Sequence, residues 1–574
     1  MLEKIKKLKV WQIAIVFAVI GVATYFTGLS GAFQNDDFHQ VVDNTPVHSI
    51  TNLPTFFTSS TFFNGEKMTG VYYRPLMTTT FSLIYTFFGA NPLPYHLIQL
   101  ALFIAGAFIL CLVFRCFFGT ILALALSLVF LVHPLNSQIV FSIPTMQDAL
   151  FFFFGISALW LVINNKMEDR PWTVVACLTL AVFSKESGVL FAILALLYLF
   201  WFKREKVITL LKYMVLPVVL YLILRNVAVG SAIIDHAAPI NDLSVVGRLF
   251  TAPSVMLFYI AKFLYPQQLS LGYYWTYPEF SVEHVLIPLA VDLLAIGLFV
   301  YLGFRVHSKM SKDKFKYFLF FAAWTVMGLA LYMQIIPGLD FTACETWFYF
   351  AMAGLLGMIG TALLTIKIRF RSEWLLMPVI VLIAILGVRS SLRGMDYKSQ
   401  YKLATVDLSV SPDNYAAMCN ISQYLIDGGK YDEAISYARR SVGVFPMLSN
   451  NINLGVALQY KGKYDEAMNV YHQALKYGNT SIIYENLSLI HLVTSTNYYE
   501  TKQNFQTALN EYPHDYKIWL YYAIFEGASN VTSEAKTAIS KAVTLGPIPQ
   551  VIYDNIMQDK PFTVPILGKN ILVK

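Results

Sequence analysis

Val10-Trp11-Gln12-Ile13-Ala14-Ile15-Val16-Phe17-Ala18-Val19-Ile20-Gly21-Val22-Ala23-Thr24-Tyr25-Phe26-Thr27-Gly28-Leu29-Ser30-Gly31-Ala32-Phe33 contains no charged residue. A single helix of about 20 such residues crosses the hydrocarbon core of a bilayer. Lys4, Lys6, Lys7 and Lys9 precede the run, and Gln34-Asn35-Asp36-Asp37-Phe38 follows it at once. A signal peptide would have a shorter apolar core and a small-residue cleavage site, so the stretch reads as an uncleaved first span. Two adjacent carboxylates at the mouth of a membrane helix are costly unless they face water or do chemistry. Both readings stand at this point.

Outward from this run the texture repeats. The chain has 574 residues, of which 56% are hydrophobic and 13% charged, too apolar for an ordinary soluble enzyme. Apolar runs fall at 10–33, 94–114, 120–140, 145–163, 172–185, 187–202, 208–229, 285–304, 317–336, 346–366 and 373–389, which gives about 11 spans. After Arg389 no spanning run remains, and Lys, Asp, Glu, Asn and Tyr become frequent. The expectation is an all-α chain in two parts: a membrane domain over 1–390 and a soluble domain over 391–574.

The formal charge of +7 does not call for nucleic acid, because much of the Lys and Arg sits in short loops between apolar runs. With the N-terminal lysines inside, Arg115, Lys166 and Arg170, Lys203 to Lys206, Arg305 to Lys316, and Lys367 to Arg371 all fall on the inner side. A further run at 250–265 is short and carries Lys262; crossing there would invert every later loop, so it is expected to be interfacial or re-entrant. Asp36-Asp37, the 34–93 loop, the 230–284 loop and the C-terminal domain then share the extracytoplasmic side. Cys111, Cys116, Cys177, Cys344 and Cys419 show no metal-ligand or redox spacing.

The first loop carries Asp36, Asp37, His39, Asp43 and His48, with Phe56, Phe57, Phe62 and Phe63 placed to lie along a membrane surface. It ends in Tyr72-Tyr73-Arg74-Pro75-Leu76, where Arg74 is either a fixed positive charge for a phosphate or a snorkelling interfacial side chain. His133-Pro134 reads more readily as a kink with a satisfied histidine than as a catalytic group. In Ser184-Lys185-Glu186-Ser187 the central pair either bond each other and turn the chain, or leave Lys185 for a lipid phosphate. Tyr273, Tyr274, Trp275 and Tyr277 form an aromatic patch. Glu345 stands at the outer start of a span, a functional candidate that is also a common helix-end acid.

The C-terminal part repeats itself. Gly429-Lys430-Tyr431-Asp432-Glu433-Ala434 returns as Gly462-Lys463-Tyr464-Asp465-Glu466-Ala467, and Ser441/Pro446, Ala474/Asn479, Ala508/Pro513 and Ala542/Pro547 keep the beat. That period, about 33–34 residues, marks tetratricopeptide repeats. About four helix pairs are expected over 412–547, with a partial repeat at 393–412 and a cap and tail at 548–574. Stacked repeats bind extended peptides or partner proteins, or serve as a spacer or dimer contact.

Taken in order, Asp36-Asp37, Tyr73-Arg74-Pro75-Leu76, Asn91-Pro92 with Tyr95-His96-Leu97, His133-Pro134, Ser184-Lys185-Glu186, Glu345, and Arg393 with Asp396-Tyr397 resemble the transmembrane and tetratricopeptide repeat O-mannosyltransferases, in the GT-C glycosyltransferase superfamily. The chain departs from that pattern at Thr145-Met146, where a Gly-Arg pair is usual, and at Glu345-Thr346, where Glu-Arg is usual. The resemblance implies transfer of mannose or a similar hexose from a polyprenyl- or dolichyl-phosphate donor to Ser or Thr of an acceptor protein, with inversion, on the extracytoplasmic side.

It implies Asp36 as general base, Asp37 as second choice or acceptor positioner, Arg74 and Lys185 on the donor phosphate, and His133, Glu186 and Glu345 as further site candidates. No cofactor is required beyond the lipid-linked donor; neighbouring carboxylates can hold a divalent metal, though none is indicated, and the repeats would recruit the acceptor. The protein would lie in the plasma membrane, or in the endoplasmic reticulum of a eukaryote. A glycan polymerase or ligase acting on a lipid-linked oligosaccharide shares these features. A repeat-bearing scaffold without catalysis would keep only the array, and a flippase would place its ionisable groups near the midplane.

Overall fold

The computed structural model describes residues 5, 7–61, 72–230, 238–335, 338–366, 377–494 and 497–574. Lys4, Lys6, Phe62, Phe63, Lys367, Arg369 and Arg371 lie outside them. The chain forms two compact units, Met1–Pro412 and Asp413–Lys574. The Gln400–Val410 helix, expected as part of a partial repeat, groups with the first unit.

Among the described residues of the first unit, eight helices are long and apolar enough to cross a membrane, or nine with a bent pair counted as one span. The protein is therefore an integral membrane protein. The eight are Val10–Gly28, Pro92–Phe117, Ile143–Ile163, Arg204–Val229, Val245–Leu264, Val282–Lys309, Glu345–Leu363 and Met377–Lys398. Two differences from the sequence reading follow from length. Val245–Leu264 is a 20-residue helix, longer than the run that stood out, because its apolar pattern starts before it. Pro171–Ser184 and Glu186–Phe202, expected as spans, are shorter apolar helices than the about 20 residues typical of a crossing. The 120–140 run breaks at His133 into Thr120–Val132 and Pro134–Phe141, bent by 52°. Proline cannot donate the helical hydrogen bond, and the side chain of Gln99 caps the carbonyls of Ile139 and Ser142 just beyond the break (2.5 and 2.7 Å).

The core of this unit is aromatic. Phe103, Phe130, Phe152 and Tyr349 stack in its middle, with Tyr349 and Phe152 centroids 4.6 Å apart. Small residues set the close approaches. A Cβ on Gly328 would sit 2.9 Å from Ala351, and one on Gly354 2.6 Å from the Thr325 backbone nitrogen, so the Lys312–Ala330 and Phe348–Leu363 helices pack backbone to backbone. Phe56 and Phe57, expected along a membrane surface, turn inward instead. Phe56 is buried against Val47 and Met77, and Phe57 packs edge-on to Phe183 at 5.6 Å.

The second unit is four helix pairs: Tyr415–Asp427 with Tyr431–Val444, Leu448–Tyr460 with Tyr464–Ala474, Ser481–Thr494 with Tyr498–Glu511, and Tyr516–Ala528 with Thr532–Leu545. The repeated glycines have a definite task. Gly429 and Gly462 hold φ of 70° and 73°, the left-handed turn that ends the first helix of a pair. Ala434, Ala467, Ala508 and Ala542 are buried where the paired helices touch. The 548–574 segment is a helix, Gln550–Met557, and an antiparallel hairpin, Phe562–Ile566 with Lys569–Val573. Its turn residues Leu567 and Gly568 both have positive φ (48° and 75°), which matches the twist of a two-residue hairpin. Ile566 and Val573 enter the repeat core beside Ile518 and Ala523.

Candidate functional site

Asn35 holds φ at 48°, a left-handed conformation that asparagine tolerates better than most side chains. The tight turn that results sends its two acids opposite ways. Asp37 points inward, is 4% exposed, and accepts a hydrogen bond from the Gln34 backbone N–H at 2.7 Å. Asp36 points outward and keeps an exposed surface although protein atoms crowd around it. The Gln34 side chain donates to the Tyr397 carbonyl, which anchors the turn.

Crowding raises the Asp36 carboxyl above the ordinary carboxylate range; His39 opposes that rise and the negative charge of Asp340 adds to it. Burial raises Asp37 well above its usual value, the Gln34 N–H opposes the rise, and Asp36 adds to it. Asp340 gave no signal in the sequence. It reaches the site from a loop hundreds of residues away, where the Tyr72 hydroxyl donates to its Oδ2 at 2.7 Å.

Tyr72 connects this acidic side to a cationic one. The Arg74 guanidinium lies over the Tyr72 ring, 4.1 Å from its centroid, and its Nε donates to Glu186 Oε2 at 3.2 Å. Glu186 Oε1 accepts from the Tyr73 backbone N–H at 3.4 Å. Lys185 does not pair with Glu186, as one of its two readings held. Its backbone is extended (φ −158°, ψ 143°), so the neighbouring side chains diverge, and its Nζ meets Asp148 Oδ1 at 2.6 Å. Arg74 bonds Glu186 and lies within electrostatic reach of Lys185, while Asp36 feels Asp340, which accepts from the Tyr72 hydroxyl beside Arg74.

Asp148 is 4% exposed and Lys185 13%. Removing one partner of such a pair leaves a buried charge. Lys185→Met is therefore expected to destabilise the first unit by about 3 kcal/mol, read as a lowered thermal transition in detergent. Asp148→Asn together with Lys185→Met should recover much of that loss.

His133 and Glu345 bond other groups than these. The His133 ring stacks on Phe263 at 5.3 Å; Nε2 bonds the Phe263 carbonyl at 3.0 Å and Nδ1 accepts from the Leu135 N–H at 3.2 Å, so the histidine staples the break in its span. Glu345 is 1% exposed and accepts from the Ser270 N–H (2.8 Å) and the Tyr273 hydroxyl (3.1 Å). It belongs to a second cluster. Arg393, fully buried, bonds Asp396 and Asp407 at 3.2 Å each, and Asp407 accepts from the Leu271 N–H. Two carboxylates thus hold two consecutive amides of the 265–277 loop, with Arg393 between the helices that carry it and Asp407. At the departures from the family pattern, Thr145 bonds the carbonyls of Gln138 and Ser142, and the Thr346 hydroxyl meets the Cys344 sulfur at 3.2 Å. Among the described residues no group of three or more His, Cys, Asp or Glu side chains is placed to hold a metal.

An apolar polytopic unit joined to a helical-pair array defines a class: membrane proteins that carry tetratricopeptide repeats. Tetratricopeptide repeat family models match residues 415–446 and 452–477. The chain is also similar in sequence to proteins named protein O-mannosyl-transferases. It is 28% identical over 181 residues to the human protein O-mannosyl-transferase TMTC3, covering 30% of this chain and 20% of that one. It is 21% identical over 439 residues to the protein O-mannosyl-transferase F38B6.6 of Caenorhabditis elegans, covering 73% of this chain and 61% of the relative. The matches thus span a fifth to three fifths of the relatives' length. A crystal structure of ArnT from Cupriavidus metallidurans bound to undecaprenyl phosphate aligns over 80% of this chain and 79% of that one. Its TM-score is 0.37 at 14% identity, a level that does not establish a shared fold.

Proposed function

We propose that this protein is a membrane glycosyltransferase of GT-C type that moves mannose or a similar hexose from a polyprenyl-phosphate donor to a Ser or Thr hydroxyl of an acceptor protein, with inversion, on the extracytoplasmic side. The carrying observation is one solvent-open carboxyl, Asp36, set by the tight turn at Asn35 and linked through Asp340 and Tyr72 to Arg74. Similarity to protein O-mannosyl-transferases over 439 residues supports it.

In this reading Asp36 takes the proton from the acceptor hydroxyl as its oxygen attacks the anomeric carbon. The bond from that carbon to the phosphate oxygen breaks, and polyprenyl phosphate leaves with the electron pair. Arg74 meets the growing negative charge, since its Nε is engaged with Glu186 while its Nη groups form no ion pair among the described residues. Lys185 acts from behind, its charge balanced by Asp148. Asp37, held by the Gln34 N–H, fixes the turn rather than moving a proton. The repeats recruit the acceptor and raise its local concentration.

The test is direct. Purified full-length protein, given a polyprenyl-phosphate mannose and candidate acceptor proteins, should add one or more hexose masses to Ser or Thr, seen by intact-mass and fragment-ion spectrometry. Lengthened lipid-linked glycan with unmodified protein would instead identify a polymerase.

A further inference from the structure

The second unit holds a cleft of about 560 Å³ between its second and third helix pairs. Leu487 and Ser488 of the Ser481–Thr494 helix, both buried, form its floor; the Tyr464–Ala474 and Tyr498–Glu511 helices form its walls. Each wall offers an acid and, one turn on, an asparagine: Asp465 with Asn469, and Glu500 with Asn504. Both acids sit in the first turn of their helices. As second helices of successive pairs the walls run the same way, so the two acids mark one end of the cleft. Burial lowers the His491 imidazole below its ordinary value, Glu500 on one wall opposes that, and His472 on the other adds to it. Floor and walls are thus in mutual electrostatic reach.

No Lys or Arg lines the cleft, and among the described residues neither Asp465 nor Glu500 forms an ion pair with one. Other first-turn acids of the array differ: Glu466 meets Arg439 and Lys463, and Glu534 meets Lys502. The side chains of Asn469 and Asn504 form no hydrogen bond among the described residues either. Ser488 is 3% exposed, its hydroxyl has no partner among them, and the surface it keeps opens into the cleft. A buried polar group left unpaired costs free energy. An occupant that brings a cation and backbone amides satisfies all of these groups together.

We propose that this cleft binds an extended peptide segment carrying Lys or Arg, with the cation between Asp465 and Glu500 and the peptide backbone on Asn469 and Asn504. Asparagine suits a backbone partner because its amide carries both donor and acceptor, as a peptide unit does. Tyr484 and Leu487 give the lining apolar surface, which suits the aliphatic stem of a basic side chain. The inference goes beyond the transferase reading and does not need it; in that reading the segment belongs to the acceptor protein.

The experiment measures binding of short fluorescent Ser-Gly peptides to the full chain in nanodiscs of zwitterionic lipid. The peptides differ only in a central pair: Lys-Lys, Gln-Gln or Glu-Glu. Wild type should bind the Lys peptide best and the Glu peptide worst, and added salt should shrink the difference. Acetyl-lysine amide, a cation without an extended backbone, should compete poorly. Asp465→Asn combined with Glu500→Gln should cut the advantage of Lys over Gln by about 3- to 10-fold, since exposed charge pairs are each weak. The Gln peptide should bind that variant as before, which reports an intact array. Asn469→Ala combined with Asn504→Ala should weaken all three peptides by about 10-fold, as loss of two neutral hydrogen bonds does, with Lys still preferred. The assignment is overturned if wild type binds none of the peptides or if the acid double variant keeps the full Lys advantage. Competition by acetyl-lysine amide equal to that of the Lys peptide overturns the extended backbone. None of these outcomes involves Asp36 or hexose transfer, so the two readings fail separately.

Discussion

Asp36→Asn should abolish hexose transfer while leaving folding and acceptor binding intact. Positioned proton transfer contributes about 10²- to 10⁴-fold to a rate, so residual turnover should fall to about a thousandth or below. The amide keeps the shape of the carboxylate and removes its basicity. Because Asp36 faces outward and Asp37 makes the bond that closes the turn, the substitution leaves the Gln34 contact in place. Asp37→Asn is the informative contrast: it weakens the contact with the Gln34 N–H and should lower stability as well as rate. The pH profile follows from the same environment. A base must be deprotonated to act, and crowding and Asp340 raise the Asp36 carboxyl above 3.8. Activity should therefore fall on the acid side at a pH above the ordinary carboxylate range. Asp340→Asn should move that limb toward lower pH, since it removes a neighbouring negative charge. Full activity of Asp36→Asn in a purified assay would remove the assigned base.

Arg393→Met should be the most damaging single change to stability. Arg393 is fully buried between Asp396 and Asp407, and Glu345 feels its charge. Breaking one side of a buried ion pair costs about 3–5 kcal/mol, and here one cation serves several acids, so the upper end is expected. Burial already raises the Asp407 carboxyl, and Arg393 is what holds it down. Without that charge the Asp407 carboxyl would rise further and would hold the Leu271 amide less tightly. Loss of the folded species in size-exclusion profiles, partly restored by Asp407→Asn, is the outcome that checks this. An unchanged melting temperature would show that the cluster does not bear on folding.

The parts that were legible in the sequence are those written in periodicity. Apolar length announced the membrane helices, and the Gly429/Gly462 beat announced the array because a positive φ at that turn leaves few alternatives. Asp36 stood out because a charge pair after an apolar run is locally anomalous. The rest depends on distant pairing. Arg74 finds Glu186 more than a hundred residues on, Lys185 finds Asp148 instead of its neighbour, and Asp340 joins through Tyr72. Nothing in local composition reports such partners. The neighbour pairing of Lys185 with Glu186 fails because an extended backbone turns adjacent side chains apart, which only the dihedral angles reveal. His133 and Glu345 carried chemically suggestive side chains, yet their hydrogen bonds go to the backbone of nearby segments and to Tyr273. The hairpin at 562–573 escaped notice because its turn lacks the usual Asn-Gly pair.

That hairpin bears on how the array comes apart. The Tyr464 hydroxyl donates to the Leu567 carbonyl, Lys569 Nζ donates to the Val493 carbonyl, and the Lys574 amide donates to Gly527. One short ribbon thus laces the second, third and fourth helix pairs together. Linear arrays ordinarily peel from a free end, one unit at a time; here the distal pair is tethered to the middle, so unravelling at that end has to proceed as a single concerted event.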